Sequence, residues 1–470
     1  MQINLKDTIA AISTPLGIGG IGIIRLSGKN ALKIGDKVFR SKNGRKISKA
    51  AGFTVHYGHI VERSTIKLKN AKTKVIDEAL VTVMRAPRTY TKEDVLEINC
   101  HGGIVPSKKI LELVINNGAR LAAPGEFTQR AFLNGRIDLL QAEATLNIIN
   151  AKTEAAFSPA VYQLEGRLSS IINKMREDLI EFIAPLEAAI DFPDESISSA
   201  PGLKLGAVLR KIAGDLKRFI DSADKGIMLQ NGISIVLAGA ANVGKSSIMN
   251  ALVEYERVIV TNISGTTRDV VQELININGM PVRIADTAGI MDSSCVITQE
   301  SVTRSLAFFE KADLVLFVLD AARKINKMDM DVARKLKNKK VVIVINKSDL
   351  KNRIDIPGIA KMFPRAPRVK ISALKKQGLP SLEKKITEQF FKGAIIPEDE
   401  LMVSNLRQKK CLEECYGFIN NAISIISDKG FEECLIFEIR QALNSLKVLI
   451  GENINEDILD NIFNRFCIGK

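Results

Sequence analysis

The spacing of apolar residues changes character several times along the chain. From residue 1 to about 120, short β-rich runs (Ile21–Leu26, Phe53–Val61, Ala79–Met84, Val95–Asn99) alternate with Gly, Pro and Asn turn signals, which predicts an α+β domain. From about 128 the period becomes helical. Leu164, Leu168, Ile171, Met175, Leu179, Ile183, Leu186 and Ile190 recur every three or four residues, which predicts one apolar stripe on a long helix. Pro193, in the acidic segment DFPDE at 191–195, is expected to end it, because proline cannot continue the helical ladder.

From Ile233 the runs ISIVLA, VRIAD, LVLFVLD and VVIVIN are short, apolar and separated by helical stretches. That is the pattern of an α/β domain with a mainly parallel sheet. After about 392 the chain reads as helical again, through Ile436–Ile450 and Ile454–Phe466, with Asn453 and Glu456 as a capping box for the last helix. Helical stretches on both sides of the α/β unit predict an all-α domain with an α/β domain inserted into it. The expected boundaries are 1–125, 126–231, 232–392 and 393–470.

Composition adds little to this. A chain of 470 residues suits roughly three domains at ~150 residues each. Lys and Arg number 67 against 53 Asp and Glu, a net charge of +14. The excess suits an anionic partner such as nucleic acid, and it suits equally a lysine-rich surface spread over solvated faces. The six cysteines form no compact framework and read as reduced cytosolic thiols. Cys411 and Cys415 lie four apart with no second pair, which argues against zinc. His56 and His59 sit in a strand-like alternation and suit a surface or packing role. MQINLKDTIA lacks a basic region followed by an apolar stretch, and no apolar run approaches the ~18 residues of a membrane span. A soluble, cytoplasmic protein is expected.

The chemistry is concentrated between Gly239 and Leu374. Gly239-Ala-Ala-Asn242-Val243-Gly244-Lys245-Ser246, followed by Ser247, matches a phosphate-binding loop and follows an apolar strand. Its glycines let backbone N–H groups turn inward at a helix N-terminus, Lys245 neutralises the β- and γ-phosphates, and Ser246 can ligate Mg²⁺. Asp286-Thr287-Ala288-Gly289 follows the strand VRIAD and would reach Mg²⁺ through water and sense the γ-phosphate. Gly265-Thr266-Thr267-Arg268-Asp269 supplies a threonine for the metal. Asn346-Lys347-Ser348-Asp349 decides the base, since the Asp349 carboxylate can accept from guanine N1–H and the 2-amino group together. Adenine offers no 2-amino donor and would leave buried polar groups unpaired. Ser372-Ala373-Leu374 falls where a backbone N–H meets the guanine carbonyl. The motifs in this order predict a GTP site. Gly17-Ile-Gly19-Gly20-Ile-Gly22 fits the dinucleotide fingerprint, but IIRLSG after it reads as a strand, so NAD or FAD binding there is rejected.

The remaining segments carry a resemblance. TPLGIGGIGIIRLSG (14–28), YTKEDVLEINCHGG (90–103), APGEFTQRAFLNGRIDLLQAEA (123–144), DFPDE and Cys467-Ile-Gly-Lys470 resemble the family of tRNA modification GTPases called MnmE or TrmE, over nearly the whole chain. The resemblance implies an α+β folate-binding and dimerising domain (1–125), a helical domain in two parts (126–231 and 393–470) and an α/β P-loop G domain (232–392). It implies a homodimer that forms a heterotetramer with an FAD-dependent partner (MnmG or GidA). Together they add a carboxymethylaminomethyl group to the wobble uridine of certain tRNAs, with the one-carbon unit from a tetrahydrofolate derivative. Folate contacts would fall on Arg25, Glu97, Arg136 and Lys470, position 136 often being Lys in the family. The family's K⁺ ligands would match Asn242, Thr261, Ile263 (by backbone) and Thr266, with Mg²⁺ on Ser246 and Thr267. Asn262 and Ser264 complete that nucleotide-contacting loop, and the catalytic candidates are Arg268, Glu300 and Cys467. Cys467 could equally pack.

Two rivals remain: a ribosome-assembly GTPase, which leaves the N-terminal segments and CIGK unexplained, and a GTP-binding scaffold with little hydrolysis. The scaffold rests on one departure. Ile290 stands where many GTPases orient water with Gln, and Thr298 stands where the family has its glutamate, twelve residues after Asp286. Met291 also replaces the family's usual Arg. Either Glu300 substitutes through a shifted loop or hydrolysis is slow, and slow hydrolysis with GTP binding retained is the expectation.

Overall fold

The computed structural model describes residues 5–62, 74–191, 202–256, 272–286, 310–391, 401–428 and 431–470. The chain divides into two units, one made of Met1–Leu146, Leu164–Asn173 and Leu446–Lys470, the other of Asn147–Gln163 and Lys174–Ser445.

The first unit is built on strands β1 (Ile9–Ile12), β2 (Ile21–Ser27), β3 (Phe39–Ser41), β4 (Thr54–Glu62), β5 (Lys74–Met84), β6 (Val95–His101) and β7 (Arg120–Leu121). They form one sheet in the order β3-β4-β5-β6-β2-β1-β7, antiparallel except for the β1–β7 pair. Alternation decides which side is buried. Ile24, Leu26, Val81, Val83, Leu96 and Ile98 pack under the helices Ala31–Val38 and Ile104–Asn116 through Ile34, Val38, Ile110 and Val114. The residues between them face the other way. Register aligns Ala11, Arg25, Glu97, Thr82 and Val55 in one row across that second face. As the alternation after Gly22 requires, the glycine-rich segment leads into strand β2 and not into a helix.

Below the sheet, the helices Glu126–Leu133 and Glu456–Phe463 share a core of Ala131, Ile137, Leu139, Phe463 and Phe466. The cap of the second of these differs from the sequence expectation. Asn455, not Asn453, is the N-cap, accepting from Asp457 N at 3.0 Å. Asn453 sits at φ 55°, in the left-handed region, whereas an N-cap needs extended backbone. The expected single stripe from Leu164 to Ile190 is also divided. Leu164 ends one helix (Glu154–Leu164), and the next (Arg167–Asp191) begins after Gly166 at φ 81°, a conformation that no helix continues through.

The second unit holds β8 (Ile233–Ala238), β9 (Gln272–Ile277), β10 (Met280–Asp286), β11 (Leu314–Asp320), β12 (Val341–Asn346) and β13 (Arg368–Lys370), in the order β13-β12-β11-β8-β10-β9. All neighbours are parallel except the β9–β10 hairpin. β11 and β12 are buried at every position, as parallel strands covered on both faces must be. Their sequences therefore show no apolar–polar alternation, because successive residues serve opposite cores. Leu316, Val318, Val342 and Val344 join one cluster, while Val315, Phe317, Ile343 and Ile345 join the other. The helices Gly202–Asn231 and Leu406–Ser427 pack on each other and are tied by Lys409 Nζ to Asp224 Oδ1 at 2.7 Å. No described helix is long and apolar enough to cross a membrane.

Candidate functional site

In an open parallel sheet, ligands bind beyond the carboxyl ends of the strands. There the loop after β8 carries Gly239–Gly244 into the helix Lys245–Glu256. Val243 is buried as the loop's anchor, and Asn242, Ser246 and Ser247 are exposed. Lys245 Nζ is held inside the curve of the loop by the carbonyls of Gly239 (3.1 Å) and Ala240 (3.0 Å). A cation at the N-terminus of a helix favours a polyanion such as a triphosphate.

At the end of β12, Asn346 joins three motifs. Its Nδ2 donates to Val243 O of the phosphate loop at 3.0 Å, and its Oδ1 accepts from Ala373 N at 3.1 Å. A side chain can come this close only because residue 244 is glycine. At φ 94° a Cβ there would lie 2.3 Å from Asn346 Nδ2. Lys347, at φ 61°, donates from Nζ to Asn242 O at 2.9 Å and pairs with Asp320 Oδ2 at 2.7 Å. Asp349 Oδ1 accepts from the buried Ser372 hydroxyl at 2.6 Å, which holds its carboxyl below the usual carboxylate value. The hydroxyl thus fixes the orientation of the Asp349 carboxylate. Leu374 is exposed beside it. The phosphate loop, Asn346–Asp349 and Ser372–Leu374 thus converge, as the sequence predicts.

A second constellation lies on the first unit. Arg25 and Glu97 face each other across β2 and β6, and Arg25 Nε donates to Glu97 Oε1 at 2.7 Å. Arg25 Nη1 also donates to Gly469 O at 3.3 Å, and its guanidinium lies 5.7 Å over the Phe127 ring. Residues 467–470 are bound into the unit by backbone. Phe127 N donates to Lys470 O at 3.1 Å, Gly125 N to Cys467 O at 3.5 Å, and Ile468 bridges to Pro124. Gly469, at φ 94°, leaves no room for a Cβ, which would sit 2.4 Å from Ile12 O. Cys467 is exposed. Arg136 stands 4.7 Å over the Tyr90 ring, and Tyr90 packs on the cluster that holds Phe127. Arg25 thus contacts both Glu97 and the 467–470 segment, while Arg136 stands on Tyr90, which packs against the cluster holding Phe127.

Comparison with known proteins reaches nearly every residue. A family model described as the MnmE helical domain matches residues 139–467, and one described as the GTP-binding protein TrmE N-terminus matches residues 8–136. The tRNA modification GTPase MnmE of Alkaliphilus oremlandii is 42% identical over 469 residues, covering 99% of this chain and 100% of that protein. The chain belongs to the MnmE family of tRNA modification GTPases. The MnmE protein of Clostridioides difficile is likewise 42% identical, and that of Bacillus subtilis 39% identical, each over 99% of this chain and 100% of theirs.

Several candidates fall outside the described residues: Thr261, Asn262, Ile263, Ser264, Gly265, Thr266, Thr267, Arg268, Thr287, Ala288, Gly289, Thr298 and Glu300. Asp286 ends β10, paired in register with Leu237. Three further side chains in these contacts were not singled out from the sequence. Asp320 is visible as the acidic end of LVLFVLD but has no meaning until β11 lies beside β12. Phe127 and Tyr90 read as ordinary core aromatics until an arginine is seen over each ring.

Proposed function

We propose that this chain hydrolyses GTP in its second unit and, with its first, supports addition of a carboxymethylaminomethyl group to the wobble uridine of certain tRNAs. The proposal includes an FAD-dependent partner in a heterotetramer, a homodimer of this chain and a cytoplasmic location. It also includes the folate-binding, helical and G domains at the boundaries predicted from sequence. One observation supports the folate part most: the Arg25–Glu97 pair, whose guanidinium also takes up Gly469 O. The donor set fits a tetrahydrofolate derivative. The pair is about one-fifth exposed, so a guanidinium and a carboxylate are offered at a partly dry surface, where bidentate hydrogen bonds to a pterin ring or a glutamate tail are strong. When bound, that cofactor would supply the one-carbon unit. Arg25, Glu97, Arg136 and Lys470 would hold it, and Cys467, exposed at the same segment, would be available as a nucleophile.

In the second unit, Ser246 offers a hydroxyl for Mg²⁺ and Asn242 an amide oxygen for K⁺, beside the loop that would hold the phosphates. K⁺ would offset charge developing between the β- and γ-phosphates. Calorimetric titration with a reduced folate tests the first-unit assignment. Wild type is expected to bind, and Arg25→Ala and Glu97→Gln to lose ten-fold or more in affinity, the order of ~1.4 kcal/mol. Binding unchanged in both variants would remove the folate site from this pair.

A further inference from the structure

From Lys37 to Val61 the chain contains no Asp or Glu, while Lys37, Arg40, Lys42, Arg45, Lys46 and Lys49 crowd its first half. Such a run is ordinarily solvated and loose. Here it is folded tightly. Gly44 N donates to Ser41 O at 3.0 Å to close a turn, and Asn43 Oδ1 accepts from Ser41 Oγ at 2.6 Å and Arg45 N at 3.1 Å. Ile47 is buried in the core of the first unit and opens a short 3₁₀ turn, Ile47–Lys49. Two charged side chains clamp the same segment by its backbone. Asp36 Oδ1 accepts from Ser48 N at 3.0 Å, and the Arg85 guanidinium donates to Ser48 O at 2.7 Å and Ala50 O at 2.9 Å.

The cations at the tip are not used in this clamp. Lys42, Arg45, Lys46 and Lys49 are all exposed, and among the described residues none of them forms an ion pair. Asp36 is engaged by Ser48, and Glu78, the carboxylate across the neighbouring strands, is engaged by the Tyr57 hydroxyl. Four exposed cations on one short, fixed segment raise the local positive potential, which attracts an anion from outside. The corner also borders aromatic surface. Lys42 Nζ lies 4.3 Å over the Tyr57 ring, and Phe53 and Tyr57 are 65% and 42% exposed.

We infer that the Lys42–Lys49 corner, between β3 and β4, is a contact surface for the phosphate backbone of the RNA substrate. Membership of a family of tRNA modification GTPases makes that substrate a tRNA, and the inference rests on this. A regular polyanion suits a cluster of cations on a fixed backbone, and exposed rings at its edge suit unpaired bases. A lipid surface fits less well, because the corner is two tight turns and not an amphipathic helix.

The test uses the full chain and fluorescently labelled tRNA, with affinity read by anisotropy over a range of KCl. The variant Lys42→Gln/Arg45→Gln/Lys46→Gln is expected to bind on the order of ten-fold more weakly, with its log K against log salt slope reduced by about two. Lys324→Gln/Lys327→Gln/Lys335→Gln, exposed positions on the second unit, makes the same change in net charge and is expected to leave both unchanged. Lys42→Arg/Arg45→Lys/Lys46→Arg is expected to restore binding. Equal losses in the two Gln variants would reduce the effect to net charge and overturn the inference. So would loss of binding to phosphatidylserine vesicles with tRNA binding intact. If wild type binds no tRNA, the RNA assignment itself fails; if it binds and the corner variant matches it, only this surface fails.

Discussion

At the residue scale the nucleotide site turns on how Asp349 is held. Replacing it with Asn exchanges an acceptor for a donor opposite the guanine 2-amino group. GTP binding should then fall and XTP binding rise, which comparing the two affinities checks. Ser372→Ala removes the hydroxyl that lowers the titration of the Asp349 carboxyl. The sign follows from the depressed value. In wild type the carboxylate survives below its ordinary titration range, so guanine binding persists as pH falls; in Ser372→Ala the acid limb of GTP affinity should move to higher pH. A coincident acid limb in the two proteins would refute this. Turnover is a separate matter, because Thr298 cannot serve as a base near neutral pH. Single-turnover hydrolysis should be slow in wild type, faster in Thr298→Glu, and faster in KCl than in NaCl for both. If instead Glu300→Ala abolishes turnover and Thr298→Glu adds nothing, Glu300 is the active carboxylate.

At the element scale, the helix Glu126–Leu133 carries the second constellation, because Phe127 both lies under Arg25 and binds Lys470 O. The helix is fixed by Arg130, fully buried and paired with Asp7, Glu93 and Glu126, the last of which also takes Arg120. Removing one partner of a buried set leaves charge without compensation. Arg130→Ala should therefore cost about 3–5 kcal/mol of stability, to be read by denaturant unfolding. Burial alone would raise the carboxyl values of Asp7 and Glu126, but hydrogen bonds from Arg120 and Arg130 outweigh it and lower both. Their contribution is thus full at neutral pH and is lost as pH falls through the depressed values. Wild type should lose stability in that acid range more steeply than Arg130→Ala. None of this network was legible from GEFTQRAFL, since a buried arginine looks like any helix-surface cation until its partners from residues 7 and 93 arrive. Strands and phosphate-loop motifs were legible because period and local spacing encode them. The break at Gly166 and the cap at Asn455 were not, because a single φ decides each.

For the whole molecule, the two constellations fall in different units, so their roles should separate. Deleting residues 467–470 removes Gly469 O from Arg25 and Lys470 O from Phe127, contacts that both lie within the first unit. The expected result is wobble modification abolished in cells carrying only the truncated protein, with GTP affinity of the purified protein unchanged. Nucleoside analysis of tRNA and a nucleotide titration check the two halves. A truncated protein that still modifies tRNA would contradict it. The same contact orders events during synthesis. Arg25 and Gly469 are 444 positions apart, whereas every described nucleotide motif has been made by Leu374. At ~5–20 residues per second, the ribosome needs about 5–20 s to travel from Leu374 to Gly469. During that interval the nascent chain already carries the nucleotide motifs, while the first unit still lacks the segment that meets Arg25 and Phe127.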